Sequence, residues 1–130
     1  MPNQLFPKAK ETLLAPLMVD TYKAVLVSNA YVFAAAHEFL TAIEPHIIGA
    51  AVELTGKNIT GGVFDAADIT FPLVPTGHTA KAVVIYKDTG VAGTSRLLDY
   101  IDVVAGLPMQ TNGGDVSIKW DEGQFKIFSL

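Results

Sequence analysis

Between Asp115 and Leu130 apolar and polar side chains alternate along the chain. Val116, Ile118 and Trp120 fall on one face of an extended strand, and Asp115, Ser117 and Lys119 on the other. Phe125 and Ile127 against Gln124 and Lys126 repeat the alternation, and Asp121-Glu122-Gly123 between the two runs has the composition of a turn. The pattern predicts a terminal β-hairpin. Burying one large apolar side chain contributes about 1.5–3 kcal/mol, so Trp120, Phe125 and Ile127 are expected in the core.

The same period of two recurs upstream. Thr79 to Lys87 is apolar enough for a central strand and Asp88-Thr89-Gly90 turns it; Arg96 to Val104 reads as the next strand. Met18 to Ser28 is rich in β-formers and apolar on both faces, as in a strand covered on two sides. Gly49 to Thr55 and Gly61-Gly62-Val63 lead into Asp68 to Leu73, where Ile69, Phe71 and Leu73 share one face and Pro72 marks a sheet edge. Gly106-Leu107-Pro108 and Asn112-Gly113-Gly114 are turns before the closing hairpin.

Two stretches break the period. Ala34 to Ile43 places Phe39, Leu40 and Ile43 at helical spacing and stops at Pro45, which predicts a helix. Lys8 to Leu14, bracketed by Pro7 and Pro16, predicts one or two helical turns. The expected fold is mainly β: an antiparallel β-sandwich or jelly-roll-like barrel of about seven to eight strands. It carries an N-terminal arm with a short helix over residues 1–16, one β-sandwich domain over residues 17–130, and one short helix within it.

Composition adds a tendency to assemble. Half of the 130 residues are apolar and 17% are charged, against about 25% charged in an ordinary soluble domain. One small core does not easily hide that much apolar surface, which favours an oligomer. A net charge of −4 argues against binding a phosphate backbone, which calls for clustered Lys and Arg. The absence of cysteine removes disulfides and thiolate chemistry. Met1 to Lys8 lacks the basic-then-apolar layout of a secretion signal, and no run approaches the roughly 20 apolar residues of a membrane helix. A soluble, cytoplasmically made product without nucleic-acid or membrane partners is expected, so the Asn58-Ile59-Thr60 sequon is not expected to be glycosylated.

No candidate chemistry acquires a complete motif. His37-Glu38 starts like a zinc-peptidase helix, but Thr41 stands where the second histidine belongs. Gly56-Lys57 lacks the spacing of a phosphate loop, and Asn58 replaces its hydroxyl residue. His37, His46 and His78 read as surface or packing residues, and Asp65/Asp68 and Asp99/Asp102 as solvated acids; for the second pair an offset of three in a strand separates faces. Calcium at the Asp65–Asp68 or Asp115–Asp121 loops lacks the regular run of oxygen ligands. Ser95-Arg96 has no nucleophile elbow. A small hydrolase would need two of Asp65, His78 and Asp99 to meet in one pocket. No catalytic, cofactor-binding or metal residue is expected, and the chain reads as a non-enzyme.

Several stretches together are similar to a family of small bacteriophage virion proteins. They are Thr55-Gly56-Lys57-Asn58-Ile59-Thr60, Gly62-Val63-Phe64-Asp65-Ala66-Ala67-Asp68-Ile69-Thr70-Phe71, Val84-Ile85-Tyr86-Lys87-Asp88-Thr89-Gly90, Thr94-Ser95-Arg96-Leu97, Tyr100-Ile101-Asp102, Gly106-Leu107-Pro108, and Asn112-Gly113-Gly114-Asp115 with Ile118, Trp120, Asp121 and Lys126-Ile127-Phe128. The resemblance covers residues 55–130, and is looser before them. It implies a structural role in the virion, with capsid decoration or cement ahead of a tail or baseplate component or a host-glycan-binding module. The implied partners are other copies of the chain, as a homotrimer, and the major capsid protein or other virion proteins. Leu5, Phe6, Leu13 and Leu14 of the arm, with Tyr31 and Phe33, are the expected partner-binding residues. A glycan-binding edge would be built from the loops at Asn29–Phe33, Pro75–His78 and Val91–Thr94, with Tyr31 as an exposed aromatic.

Overall fold

A computed structural model describes residues 4–120 and 126–130. In chain order the elements are α1 (Pro7–Leu14), α2 (Pro16–Val19), β1 (Tyr22–Ser28), β2 (Ile47–Glu53), β3 (Asn58–Thr60), β4 (Val63–Asp65), β5 (Ile69–Phe71), β6 (Thr79–Lys87), β7 (Leu97–Ile101), β8 (Met109–Gln110), β9 (Val116–Ile118) and β10 (Phe128–Ser129). The protein is mainly β and every strand pairing is antiparallel.

The main sheet runs β2-β1-β6-β7, with β8 continuing along β6. β1 and β6 lie at its centre, and both bury alternate residues on opposite faces, as their two-sided apolar composition predicts. Ala24 and Leu26 of β1, with Ala80, Val83 and Ile85 of β6, enter the larger core, packing with Phe64, Ile69, Phe71, Val116, Ile118 and Trp120. Those partners come from two small sheets, β10-β4-β3 and β5-β9, so this half of the molecule is sandwich-like. Val25 and Val27, with Ala82, Val84 and Tyr86, face the other way onto Tyr31 and Ile43. That second face is covered by residues 29–46, which carry only short 3-10 turns at Leu40–Ala42 and Glu44–His46.

The helix expected over Ala34 to Ile43 is therefore absent. Residues 38–40 instead lie along β7: the Leu97 N–H donates to the Glu38 carbonyl, the Leu40 N–H donates to that of Ser95, and the Arg96 guanidinium sits 4.7 Å above the Phe39 ring. A ten-residue helix is marginal in water, and these sheet-edge contacts outweigh it. Two successive 3-10 turns bury Ile43 and pack the partly buried Leu40 against the same core. The first strand also starts later than expected, at Tyr22, because Pro16 opens helix α2 and carries Met18 and Val19 with it.

The predicted terminal hairpin is also replaced. The arms separate: β9 pairs with β5 in the register Ile69↔Ile118 and Phe71↔Val116, and β10 pairs with β4, Phe128 opposite Phe64. Two bonds pin residues 116–120 to the β5 segment, from the Trp120 backbone N–H to the Asp68 carboxylate at 2.9 Å and from its indole N–H to the Ala67 carbonyl at 3.0 Å. Val116, Ile118 and Trp120 are buried as expected, while Phe125 and the Asp121–Gly123 turn lie outside the described residues. Leu73 does not join Ile69 and Phe71 in the core: its φ of +47° turns the chain outward and Val74 is buried instead.

Gly106 shows how closely the loops approach the sheets. Its φ is +105°, and a Cβ there would lie 2.5 Å from the Ser117 carbonyl oxygen of β9. Gly113, at φ +87°, has open space around it. Gly106→Ala is expected to cost about 2–4 kcal/mol, combining backbone strain with a forced shift of β9, whereas Gly113→Ala costs about 1 kcal/mol of strain alone. Thermal or urea unfolding of the two variants checks the difference; equal losses would contradict this packing.

Candidate functional site

The N-terminal arm is built to be held down on one side and left open on the other. Pro7 occupies the first turn of α1, where a missing N–H is harmless, and Pro16 stops the helix. Leu14 and Leu17 pack on the larger core. The Glu11 carboxylate accepts the Gly61 N–H at 2.6 Å, and the Lys10 side chain lies against Gly62, filling the space a Cβ would take. Both glycines sit at positive φ in the turn between β3 and β4. That backbone bond, and next the Lys8 ammonium, hold the Glu11 carboxyl below its ordinary pKa. Yet α1 buries no residue of its own. Leu5 is 51% exposed, Phe6 82% and Leu13 61%, an apolar surface with no cover among the described residues. Of the arm residues expected to meet a partner, three face outward and Leu14 is spent on the core.

Tyr31 and Phe33 belong to a second site, on the opposite face of the main sheet. Tyr31, Phe33, His37, Leu97, Leu98 and Tyr100 line a cavity of about 120 Å³, with Val84 of β6 behind them. A 2.8 Å hydrogen bond joins the Tyr31 hydroxyl to His37 Nδ1. The Tyr31 ring lies 5.6–5.8 Å from those of His37, His46 and Tyr100, and the Phe33 ring 5.5 Å from Tyr100, within the range where tilted aromatic pairs attract. Burial, and next the Tyr100 hydroxyl, raise the Tyr31 pKa, so its hydroxyl stays neutral. Tyr31 is only 4% exposed. It is therefore a wall of the cavity and not the exposed aromatic of a glycan-binding edge; Phe33, 58% exposed, stands at the mouth.

Asp99 and Asp102 line the adjoining groove with Phe33, Leu98 and Tyr100. Burial pushes the Asp99 carboxyl up to about 6, against the lowering effect of a bond from the Tyr100 backbone N–H. The residues a hydrolase would need are not brought together. Asp65 stands opposite Asn58 in the small sheet, His78 is tied to Thr111, and Asp99 lies opposite Ile85. Asp68 is engaged by Trp120, and the Ser95 hydroxyl closes its own loop onto the Val91 carbonyl. Among the described residues no group of three His, Asp or Glu side chains is placed to hold a metal ion. Sequence reasoning missed the half-buried Asp99 and the Tyr31–His37 bond, because they arise at a strand edge and in an irregular segment where no period signals them.

No family model matches the chain. No curated protein matches it either.

Asp99 gives a stability profile with a definite sign. Its folded pKa is near 6, while an unfolded aspartate ionises near about 3.9. Between these values the folded chain binds more protons than the unfolded one, so the contribution of Asp99 to stability falls as pH rises from about 4 to about 6. Asp99→Asn is expected to stabilise the protein by about 1 kcal/mol at pH 7.5, allowing for the solvent that still reaches the group, and to change little at pH 4. Chemical unfolding at the two pH values checks this; destabilisation at pH 7.5 would contradict it.

Proposed function

We propose that the chain is a non-enzymatic structural protein of a bacteriophage virion, a capsid decoration or cement protein that assembles on itself, as a trimer, and on the head surface. The observation that carries the reading is the arm, whose apolar residues Leu5, Phe6 and Leu13 are turned outward while the same segment is anchored inward through Glu11, Leu14 and Leu17. A segment anchored on one side and greasy on the other is what a subunit uses to reach a neighbour. The mainly-β body and the resemblance across residues 55–130 fit a small virion component. A stabilising role asks only for surface complementarity, and no chemistry is assigned to any side chain.

The triple variant Leu5→Ser, Phe6→Ser, Leu13→Ser changes no core residue, so it is expected to fold, with a cooperative unfolding transition that no longer depends on protein concentration. Sedimentation equilibrium is expected to give three times the 13.9 kDa chain mass for the native protein and a monomer for the variant, and antibody labelling is expected on the head of the intact particle. A native chain that stays monomeric throughout the micromolar range would contradict self-assembly. Labelling confined to the tail would assign the protein there.

A further inference from the structure

We propose that Phe6 of one copy seats in the aromatic cavity of another copy, against the edge of the Phe33–Tyr100 pair, with Lys8 set against Asp102 in the adjoining groove. The proposal rests on the self-assembly reading above and names the surface that receives the arm.

Size and chemistry match. A cavity of about 120 Å³ walled by Tyr31, Phe33, His37, Leu98 and Tyr100 is close to the roughly 150 Å³ that accommodates a benzene ring. Phe6 is the most exposed aromatic side chain of the arm, 82% open to solvent. A third ring beside Phe33 and Tyr100 extends the existing run of tilted contacts. Two residues after Phe6 comes Lys8, whose side chain is 89% exposed and makes a surface pairing with Glu11 at 3.2 Å. The groove beside the cavity is lined by Asp102, just past the end of β7, whereas Asp99 stands opposite Ile85 on the face of the larger core. An aromatic followed by a cation thus faces an aromatic pocket followed by an anion, an order that fixes direction as well as attraction.

The contact must form between copies. The arm is fastened through Leu14 and Leu17 to the larger core, on one face of the main sheet, whereas the cavity opens on the other, where Val84 and Tyr86 meet Tyr31. The main sheet thus separates the arm's anchor from the cavity of its own chain. Two different surfaces meeting in this way form a heterologous interface, which closes as a ring, runs on as an open filament, or is exchanged reciprocally between two copies. The first of these gives a trimer its simplest construction.

The chain contains no cysteine, so single-cysteine variants report one contact each. Leu5→Cys and Val32→Cys flank Phe6 and Phe33 and leave both rings in place; Leu73→Cys is an equally exposed control elsewhere on the surface. A short bismaleimide added to mixed Leu5→Cys and Val32→Cys proteins is expected to yield a linked heterodimer at least tenfold above the Leu5→Cys and Leu73→Cys mixture. Phe6→Ser in the first partner should remove the excess. Asp102→Lys in the second should weaken it, and combining that change with Lys8→Glu in the first should restore it. Linking no greater than the control in a protein that sediments as an oligomer would overturn the Phe6 seat and leave self-assembly standing. A protein that sediments as a monomer and does not link would overturn both.

Discussion

The pairing of β1 with β6, buried on both faces, is the constraint on which the other elements depend. From Tyr22↔Lys87 to Val27↔Ala82 the two strands run in continuous antiparallel register, with a shift only at Ser28. Leu26, Val83 and Ile85 are inaccessible on one side, and Val25, Val27 and Ala82 on the other. A sheet with two apolar faces needs two covers, and everything else in the fold supplies one or the other. Ion pairs frame this centre, Lys23 to Asp88 at 3.0 Å and Lys87 to Asp20 at 3.3 Å, but partly exposed pairs contribute only about 0–1 kcal/mol each. Packing holds the pair together.

The two covers differ in kind. The larger core is closed by short strands of two or three residues in two small sheets, stitched by side chain to backbone bonds such as Asp115 to the Leu73 N–H and Trp120 to the Ala67 carbonyl. The helical arm adds Leu14 and Leu17 to this side. The other face is closed by an irregular segment, and where that segment thins beside Tyr100 the aromatic cavity remains. Arm and cavity thus fall on opposite faces because the central sheet has two faces to cover and only one regular layer to do it.

The same asymmetry explains what could be read from the sequence. β6, β1 and the alternation of Val116, Ile118 and Trp120 were legible, because burial imposes a strict period on an extended chain. The outward-facing Leu5, Phe6 and Leu13 were legible as a proline-bounded arm. The partner of β9 was not, since alternation states which face is buried and says nothing of the neighbour; the Asp68 and Ala67 bonds to Trp120 that decide it span more than fifty positions. The spacing of Phe39, Leu40 and Ile43 suits a helix and a pair of 3-10 turns equally, and a long-range edge contact with residues 95–97 selected the turns. The cavity had no signature, because Tyr31, His37 and Tyr100 converge only after the sheet and its irregular cover are both in place.

If assembly through the arm is the working property of this fold, the arm and the central sheet must respond differently to concentration. Hydrogen exchange on the intact native chain, followed at two protein concentrations spanning the assembly equilibrium, reads both at once. The amides of α1 should slow at least severalfold at the higher concentration as the arm gains its neighbour, and those of β1 and β6 should slow only by what assembly adds to global stability. Exchange in α1 that is identical at both concentrations would contradict the account.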